Sequence, residues 1–439
     1  MNSKNAINEL FAVDIMGCCF YPSCKSRNVL SNPRNGVITW KIMPENQNLR
    51  IAVLIKRFVS TGGAERYAME VTRRLALQHE VHVFAQEWSN EGKEEIAFHK
   101  IPKYLAKPSW FNQLLFSYHA DRGVDGSFDI VHSHEKVARF DVMTIHSPCV
   151  RSSVTHEKRA WKRFLGWFSL PLSPHKMGWL LLEKKQFSHH SGKLFLPVSE
   201  NVKRDVQIKY SLPDDCFRIA YPGVDSKMKK STVRGVNGSA VRSKLGIAED
   251  ELVFLFVGTE FKRKGLDALL RGFALLKPCS NTRLIVAGGG GGKMREYVQL
   301  AKNLDLSDHV LFAGLVNNVG ELYSIADACI LPTLSDPFGM APVEAMLSGV
   351  PVALSSSTYC GAAEIIKGGE ALIIKNPQDH HEIKEALCKL MDAGCRAELS
   401  RKGQALAAEF TWEHTTARTL SAYEEVLRRK KQGHQPPIC

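Results

Sequence analysis

Short apolar runs alternate with amphipathic stretches along most of this chain, from about residue 49 to residue 430. The first run is Leu49 to Ile55, and a second run, His79 to Ala85, follows an amphipathic stretch of helical period. Short runs that are apolar on both faces are typical of buried parallel strands. Strand, helix and strand in this order make one βαβ unit, so the pattern predicts a doubly wound α/β sheet.

The alternation is interrupted once, which predicts two domains of the same kind. Residues 226–240 are rich in Lys, Ser, Gly and Asn, as expected of a linker. We therefore expect one domain over 49–225, a second over 226–410 and a closing amphipathic helix over 411–430. Residues 1–48 show no periodicity, and we expect a poorly ordered extension there. The further predicted strands are 128–135, 142–146, 193–199, 217–225, 252–258, 283–288, 310–314 and 328–331.

The first predicted strand leads into Gly62-Gly63 at the start of a helix. Paired glycines permit a ligand to approach the backbone, with the positive end of the helix dipole behind it. A plain strand-to-helix turn is the alternative interpretation, and the pattern leaves both open. The fingerprint G-x-G-x-x-G is absent, so NAD binding is not predicted.

Two neighbouring predicted strands each lead into a histidine, His134 and His146. Ligands of open α/β sheets bind at the carboxyl ends of the strands, so both side chains should face one crevice. A structural or solvated role remains the alternative.

The most distinctive stretch runs from Ser335 to Met346, after the apolar run Ala328 to Leu331. We interpret it as a strand end, a tight loop and the first turns of a helix, which is suited to an anionic ligand. Two acids, Asp336 and Glu344, bracket the loop. Arg263 and Lys264 lie at a similar position after the predicted strand 252–258. Cations at the start of a helix oppose the helix dipole, so their position there favours phosphate binding, and surface solubility is the alternative interpretation.

Composition narrows the classes of partner. The chain is 44% hydrophobic and 23% charged, an ordinary globular composition, but its formal net charge is +13. Such a charge indicates an anionic partner: nucleic acid, membrane lipid or a phosphorylated substrate. No apolar run is long enough to span a membrane and no secretory signal is evident. Eleven cysteines without paired short spacings favour a reducing, cytoplasmic setting.

Residues 151–193, the basic arm, interleave cations with aromatic side chains. This composition favours an anionic membrane surface, where rings lie at headgroup depth. Single-stranded nucleic acid and an ordinary helical arm whose rings fill the core remain as alternatives. The candidate membrane or acceptor contacts are Lys158, Arg159, Trp161, Lys162, Arg163 and Trp167.

Together these landmarks resemble glycosyltransferase family 4. The Gly-Gly loop, Arg263-Lys264-Gly265 and the acid-x₇-acid loop occur in the family's order, and the resemblance covers about residues 49 to 430. It implies the GT-B fold, in which two Rossmann-like domains face a central cleft, with the acceptor on the N-terminal domain and a nucleotide sugar on the C-terminal one. Residues 257–265 and the basic arm look most like family members that add glucose to the lipopolysaccharide core.

The resemblance also implies a role for each candidate. Lys264 and Arg263 would neutralise the diphosphate, Glu344 would bind the ribose, and Asp336 would face the donor sugar. His134 matches a family histidine near the reacting sugar. The remaining donor-binding candidates are Gly62, Gly63, Gly288, Gly314, Phe338, Gly339 and Met340.

Two positions depart from the family's pattern. Asp336 stands where the family usually has Glu, which shortens the reach to the donor sugar by one methylene group. Thr259 stands where Arg is frequent, which leaves more of the diphosphate charge to Lys264 and Arg263. Asp336 and Glu344 are not a hydrolase pair, because they share one loop and helix instead of flanking a bond across a cleft.

The expected activity is retaining transfer of a hexose, with UDP-glucose as the expected donor, to a lipid-linked phosphorylated acceptor. No metal and no other cofactor are expected, and no nucleic-acid partner. The expected location is the cytoplasm, at the inner face of the cytoplasmic membrane as a peripheral protein. Two alternatives are a nucleotide-sugar epimerase of the same fold and a non-catalytic membrane- or nucleic-acid-binding protein.

Overall fold

A computed structural model of the protein describes residues 48–89, 95–104, 109–155, 174–188, 192–226, 228, 236–276, 281–289, 292–316 and 318–433. The predicted N-terminal extension lies outside these ranges except for Asn48. So do residues 156–173, the centre of the basic arm. None of the described helices combines the length and the apolar character that a membrane crossing requires.

The first half contains a six-stranded, wholly parallel sheet in the order β5-β3-β1-β6-β7-β8. Its central strands are almost fully buried, as is typical of parallel sheets with helices on both faces. The strands are β1 (Arg50–Leu54), β3 (Glu80–Ala85), β5 (Ile96–Lys100), β6 (Ile130–Ser133), β7 (Val142–Ile145) and β8 (Leu194–Pro197), and β2 (Arg57–Phe58) pairs separately with β4 (Glu87–Trp88). The helices are α1 (Gly63–Leu75), α2 (Ser109–Gly123), α3 (Val150–Thr155), α4 (Pro174–Ser188) and α5 (Glu200–Tyr210).

The second half repeats this architecture with the order β11-β10-β9-β12-β13-β14, again parallel. Its strands are β9 (Leu252–Val257), β10 (Thr282–Ala287), β11 (Val310–Gly314), β12 (Ala328–Leu331), β13 (Val352–Ser355) and β14 (Leu372–Ile374). Its helices are α6 (Val236–Lys244), α7 (Leu266–Ala274), α8 (Gly292–Asn303), α9 (Val319–Ile325), α10 (Met340–Leu347), α11 (His380–Met391) and α12 (Ala393–Ala407).

The last helix, α13 (Trp412–Lys431), returns from the second half to pack on the first. Trp412 and Tyr423 are fully buried, and Glu425 accepts from Arg218 Nη2 at 2.7 Å. Its start is tied to the first half by the Val224 N–H, which donates to the Phe410 carbonyl at 2.9 Å. The final helix therefore belongs by its contacts to the N-terminal sheet, although it follows the C-terminal one in sequence.

One predicted strand is wrong. Residues 217–225 run extended beside β8, and the N–H groups of Arg218 and Ala220 donate to its carbonyls, but the segment forms no strand of the sheet. The ladder ends at Pro222, which has no N–H to donate.

The two halves also meet at a helix start. The carboxylate of Glu364 accepts from the backbone N–H groups of Glu200 and Asn201, at 2.7 and 2.8 Å, and so caps α5 from the other half. Burial raises the pKa of Glu364 above its ordinary value, while the two N–H donors oppose that rise.

Candidate functional site

Each sheet reverses its strand order once, and the predicted site residues follow the strands at these two points. In the first sheet the reversal lies between β1 and β6, which lead into Gly62-Gly63 and His134. In the second it lies between β9 and β12, which lead into Lys264 and Asp336. Open α/β sheets bind their ligands outside such switch points, because the flanking loops diverge there and leave a crevice.

Lys264 and Asp336 form an ion pair in the second switch point, where Lys264 Nζ donates to Asp336 Oδ2. Arg263 lies beside them, with Nη1 3.8 Å from Asp336 Oδ1 and 2.6 Å from the Ser335 carbonyl. Asp336 is only 11% exposed, so its charge is held among cations in a partly desolvated place. Lys264, predicted to bind the diphosphate, and Asp336, predicted to face the donor sugar, are thus paired with each other in this structure.

The cationic loop, residues 261–265, carries Arg263 and Lys264 and ends at Gly265. The backbone of Gly265 is in the left-handed region, with φ of 78°. A Cβ atom at this position would lie 1.9 Å from the Pro332 carbonyl oxygen, so only glycine fits. The close approach draws the start of α7, and Lys264 with it, against the end of β12.

The loop from Asp336 to Met340 is fixed by its neighbour at residues 359–362. The Asp336 N–H donates to the Tyr359 carbonyl at 2.7 Å, and the Ala362 N–H donates to the Phe338 carbonyl at 2.6 Å. Gly339 has φ of 87° and is the N-cap of α10. The N–H groups of Gly339 and Met340 therefore lie at a helix start, where N–H groups have no intrahelical partner.

Glu344 is buried on α10 and is bound from two sides. Arg66 Nη1, from helix α1 of the other half, donates to its Oε1 at 2.7 Å, and the Tyr323 hydroxyl donates to its Oε2 at 3.4 Å. Burial, followed by the Glu344 charge, raises the pKa of Tyr323, so its hydroxyl stays protonated. The Arg66–Glu344 pair brings the two switch points together across the cleft.

The glycine candidates occupy both sides of this cleft. Gly62 has φ of 99° and accepts the first helical bond of α1 from the Arg66 N–H at 3.0 Å, while the Cβ position of Gly63 is open. In the second half, the Gly288 N–H donates to the Gly314 carbonyl at 2.7 Å, at the adjacent ends of β10 and β11.

The histidines form a buried cluster at the first switch point. His134 Nδ1 lies 3.0 Å from His146 Nε2, and the Tyr67 ring packs against both. His132 is enclosed below them and bonds to the Tyr423 hydroxyl at 2.6 Å and to Thr144 Oγ1 at 2.8 Å. Burial lowers the pKa of His132 and His146 to about 3 and lowers that of His134 well below its ordinary value. All three imidazoles are therefore neutral at physiological pH.

Arg66, Tyr323 and Tyr423 are among the groups of this arrangement that were missed from the sequence. Arg66 carried a signal, because a cation in the first turn of a helix opposes the helix dipole, as Lys264 does. The two tyrosines carried none, since their partners are distant in sequence. The six candidate membrane contacts between Lys158 and Trp167 lie outside the described residues.

Two family models match successive parts of the chain. Residues 61–227 match the model described as Glycosyltransferase Family 4, and residues 239–405 match the one described as Glycosyl transferases group 1. The first range contains Gly62, Gly63 and His134, and the second contains Lys264, Asp336 and Glu344.

Three of the proteins similar to this chain are glycosyltransferases by name. WaaG of Escherichia coli K12, named lipopolysaccharide glucosyltransferase, is 24% identical over 345 residues, covering 78% of this chain and 89% of WaaG. A D-inositol 3-phosphate glycosyltransferase of Stackebrandtia nassauensis is 26% identical over 408 residues, covering 84% and 88%. The uncharacterised glycosyltransferase MJ1607 of Methanocaldococcus jannaschii is 28% identical over 234 residues, which are 52% of this chain and only 59% of that protein.

Solved structures share the fold. A crystal structure of WaaG, described as involved in lipopolysaccharide biosynthesis, superposes with a TM-score of 0.71 at 23% identity, covering 85% of this chain and 98% of WaaG. Anabaena HepE in complex with UDP-glucose superposes with a TM-score of 0.67 at 18% identity, covering 85% of this chain and all of HepE. These matches confirm the predicted fold of two parallel-sheet α/β domains.

Proposed function

Because the chain belongs to the glycosyltransferases with a family 4 N-terminal half and a group 1 C-terminal half, we propose that it transfers a hexose from a nucleotide diphosphate sugar to a lipid-linked, phosphorylated acceptor. Glucose carried by UDP is the proposed donor. The names of two similar proteins, one bound to UDP-glucose and one a lipopolysaccharide glucosyltransferase, support this choice.

The observation that carries the proposal is the cationic loop at the second switch point. Lys264 and Arg263 lie after the end of β9 beside a helix start. The partly buried Asp336 pairs with Lys264 and lies 3.8 Å from Arg263, whose Nε pairs with the exposed Glu260. A diphosphate brought into this crevice would meet two cations and free N–H groups. Such preorganised positive groups stabilise the charge that develops on a leaving diphosphate.

In this proposal the remaining residues bind the donor's other parts. Glu344 accepts hydrogen bonds from the ribose hydroxyls, the backbone from Phe338 to Met340 binds sugar or phosphate oxygens, and Asp336 turns from Lys264 towards the donor sugar. Gly62 and Gly63 let the first half approach the diphosphate, and Gly288 and Gly314 lie near the base.

The proposed chemistry retains the configuration of the anomeric carbon. The bond from that carbon to the diphosphate oxygen breaks, the acceptor oxygen bonds on the same face, and the leaving phosphate takes the acceptor's proton. His134 lies at the first switch point as a neutral imidazole, suited to a hydrogen bond with a sugar hydroxyl. The absence of any metal requirement is part of the proposal, because Lys264 and Arg263 take the charge-neutralising role.

The acceptor and the location are proposed from charge and composition. The net charge of +13 suits a phosphorylated lipid acceptor, and the basic arm suits the anionic inner face of the cytoplasmic membrane. A D-inositol 3-phosphate glycosyltransferase among the similar proteins gives a second phosphorylated acceptor to compare.

Donor binding to the full chain tests the proposal. Isothermal titration with UDP-glucose in EDTA should show saturable binding, and Lys264→Ala should weaken it roughly ten- to hundredfold, since a charge-assisted bond contributes about 1.5–3 kcal/mol. Lys262→Ala removes an exposed cation of the same loop and should bind like the parent. If UDP-glucose and the other nucleotide sugars give no heat of binding, the proposal fails.

The epimerase alternative is separated by products. Incubation with UDP-glucose in the absence of any acceptor should leave the sugar configuration unchanged. Conversion of UDP-glucose to an epimer under these conditions would favour the epimerase.

A further inference from the structure

A cavity of about 230 Å³ opens at the carboxyl ends of β6 and β7, beside the histidine cluster. Its walls include His134, His146, Gln113 of α2, and Trp179 and Gln186 of α4. The volume lies just below the range of about 300–1,000 Å³ typical of small-molecule sites, so it suits a single ring. Ala64, next to the Gly62-Gly63 loop, also lines it, so the cavity adjoins the first switch point.

Three buried polar atoms of the lining have no hydrogen-bond partner within the described part of the chain: Gln113 Oε1, Gln186 Oε1 and His134 Nε2. The orientation of the Gln113 amide is fixed, because its Nε2 donates to the Lys136 carbonyl at 2.9 Å. Its oxygen can therefore only accept. Leaving a buried polar group unpaired costs about 1–3 kcal/mol, so three of them around one cavity indicate a ligand.

The cations of the cavity are already neutralised. Lys136 Nζ donates to Glu183, a fully buried carboxylate that also accepts from the Val150 N–H at 2.6 Å. Lys56 Nζ pairs with Glu135 at 3.3 Å. Both carboxylates would repel an anion, and neither is free to turn away from one. Glu183 Oε2 also accepts from the Arg151 N–H at 3.2 Å and from the Tyr210 hydroxyl at 3.0 Å. Glu135 Oε1 accepts from the Lys56 N–H at 3.3 Å.

We propose that this cavity holds a neutral, hydroxyl-bearing ring of the acceptor, a sugar or a cyclic polyol, and excludes its phosphate. The inference rests on the proposed function and names the acceptor group that this half receives. Hydroxyl groups supply the protons that the two glutamine oxygens need, whereas a phosphate monoester in its dianionic form has none to give. A hydroxyl also satisfies His134 Nε2 in either tautomer, because it both donates and accepts.

The remaining wall suits the body of such a ring. Trp179 lines the cavity with its largely apolar indole ring, and Lys136 Nζ lies 5.6 Å from the ring centroid. The acceptor's phosphate would then lie outside the cavity, where the overall positive charge of the protein attracts it.

Saturation-transfer NMR on the full chain tests the proposal with four probes: methyl α-glucoside, myo-inositol and the monophosphate of each. The neutral probes should receive saturation and compete with one another, and the phosphorylated ones should bind at least tenfold more weakly. Comparing the glucoside with inositol shows whether a sugar or a polyol fits. Equal or tighter binding of the phosphates would overturn the inference.

Variants locate the binding. Gln113→Leu and Gln186→Leu should each reduce the affinity of the neutral probes about tenfold, and Gln113→Asn, which keeps the amide but withdraws its oxygen, should do the same if the leucine variant fails to fold. Gln299→Leu, the same change on an exposed helix face, should leave binding intact. Unchanged binding in the folded cavity variants would overturn the inference.

A parallel titration of the parent chain with UDP-glucose separates the two proposals. If neutral probes bind in the cavity but the nucleotide sugar does not bind, the proposed function fails and the ligand class of the cavity stands. If the nucleotide sugar binds and the neutral probes do not, only the cavity assignment fails.

Discussion

The buried histidines make the stability of the protein depend on acid. The pKa of His132 falls from an ordinary 6.5 to about 3 on folding, because burial penalises its charged form. Below pH 6.5 the unfolded chain binds a proton at this position and the folded chain does not until about pH 3. The stabilisation is thus complete above pH 6.5 and is lost as the pH falls through that window.

His132→Gln should remove this contribution while keeping a donor and an acceptor for Tyr423 and Thr144. Between pH 5.5 and 4, the free energy of unfolding should fall less steeply than in the parent, by about 1.4 kcal/mol per pH unit. Urea unfolding at a series of pH values measures the slope, and His381→Gln, an exposed histidine, should keep the parent's slope. A His132 variant with the parent's slope would contradict the buried neutral imidazole.

At the residue scale, the sequence predicted where the candidates lie better than what they contact. His134 and His146 lie together because the ends of parallel strands meet at one edge, a consequence of topology alone. The pairing of Lys264 with Asp336 was not predicted, since it depends on how closely Gly265 draws two loops together. The roles of all these residues in binding a donor remain predictions.

At the scale of elements, the contact between α1 and α10 places Arg66 where the donor's ribose is proposed to bind. In the proposed binding mode, the ribose hydroxyls compete with Arg66 for the Glu344 carboxylate, which is only 10% exposed. Donor binding must therefore displace or share the guanidinium.

Arg66→Met should tighten the binding of UDP-glucose about tenfold, which corresponds to about 1.4 kcal/mol, because the competing partner is removed. Calorimetry on both proteins measures it, and Arg73→Met on the same helix is a control at a distance from Glu344. Weaker binding in the Arg66 variant would instead make Arg66 a ligand of the donor.

The pattern of apolar positions predicted most of the central strands, but it missed β13 inside the second sheet and several peripheral elements. A short run that is apolar on both faces, such as β9, is readily identified from sequence as a buried parallel strand. The edge strand β5 is partly exposed and mixed in character, and α2 buries polar residues such as Asn112 and Gln113, so neither showed a clear period. Residues 217–225 resemble a strand in sequence because apolar residues predominate there. In the structure they are extended beside β8 but form no strand of the sheet.

At the scale of the whole molecule, the positive charge predicts attraction to anionic membranes. Replacing Lys158, Arg159, Lys162 and Arg163 by Gln should weaken binding to vesicles with anionic lipid at least tenfold, since each cation near the surface contributes about 1 kcal/mol. Co-sedimentation at two salt concentrations measures it. Neutralising four exposed cations elsewhere, Lys244, Lys302, Lys389 and Arg401, is the matched control, and equal loss in both variants would argue against the basic arm as the membrane contact.

The repeated alternation of strands and helices, together with the linker, predicted two domains. The contacts that join the two halves were not predicted from the sequence. Glu364 capping α5 and α13 returning to the first sheet are contacts between residues far apart in sequence. No local pattern encodes such pairs, because each partner looks like an ordinary surface residue in its own segment.

A crystal structure of the protein with UDP-glucose would test the proposed donor site. We expect diphosphate oxygens within about 3.2 Å of Lys264 Nζ, ribose hydroxyls on the Glu344 carboxylate, and Asp336 turned towards the sugar. A nucleotide bound away from the second switch point, or Lys264 still paired with Asp336 and touching no phosphate, would contradict it.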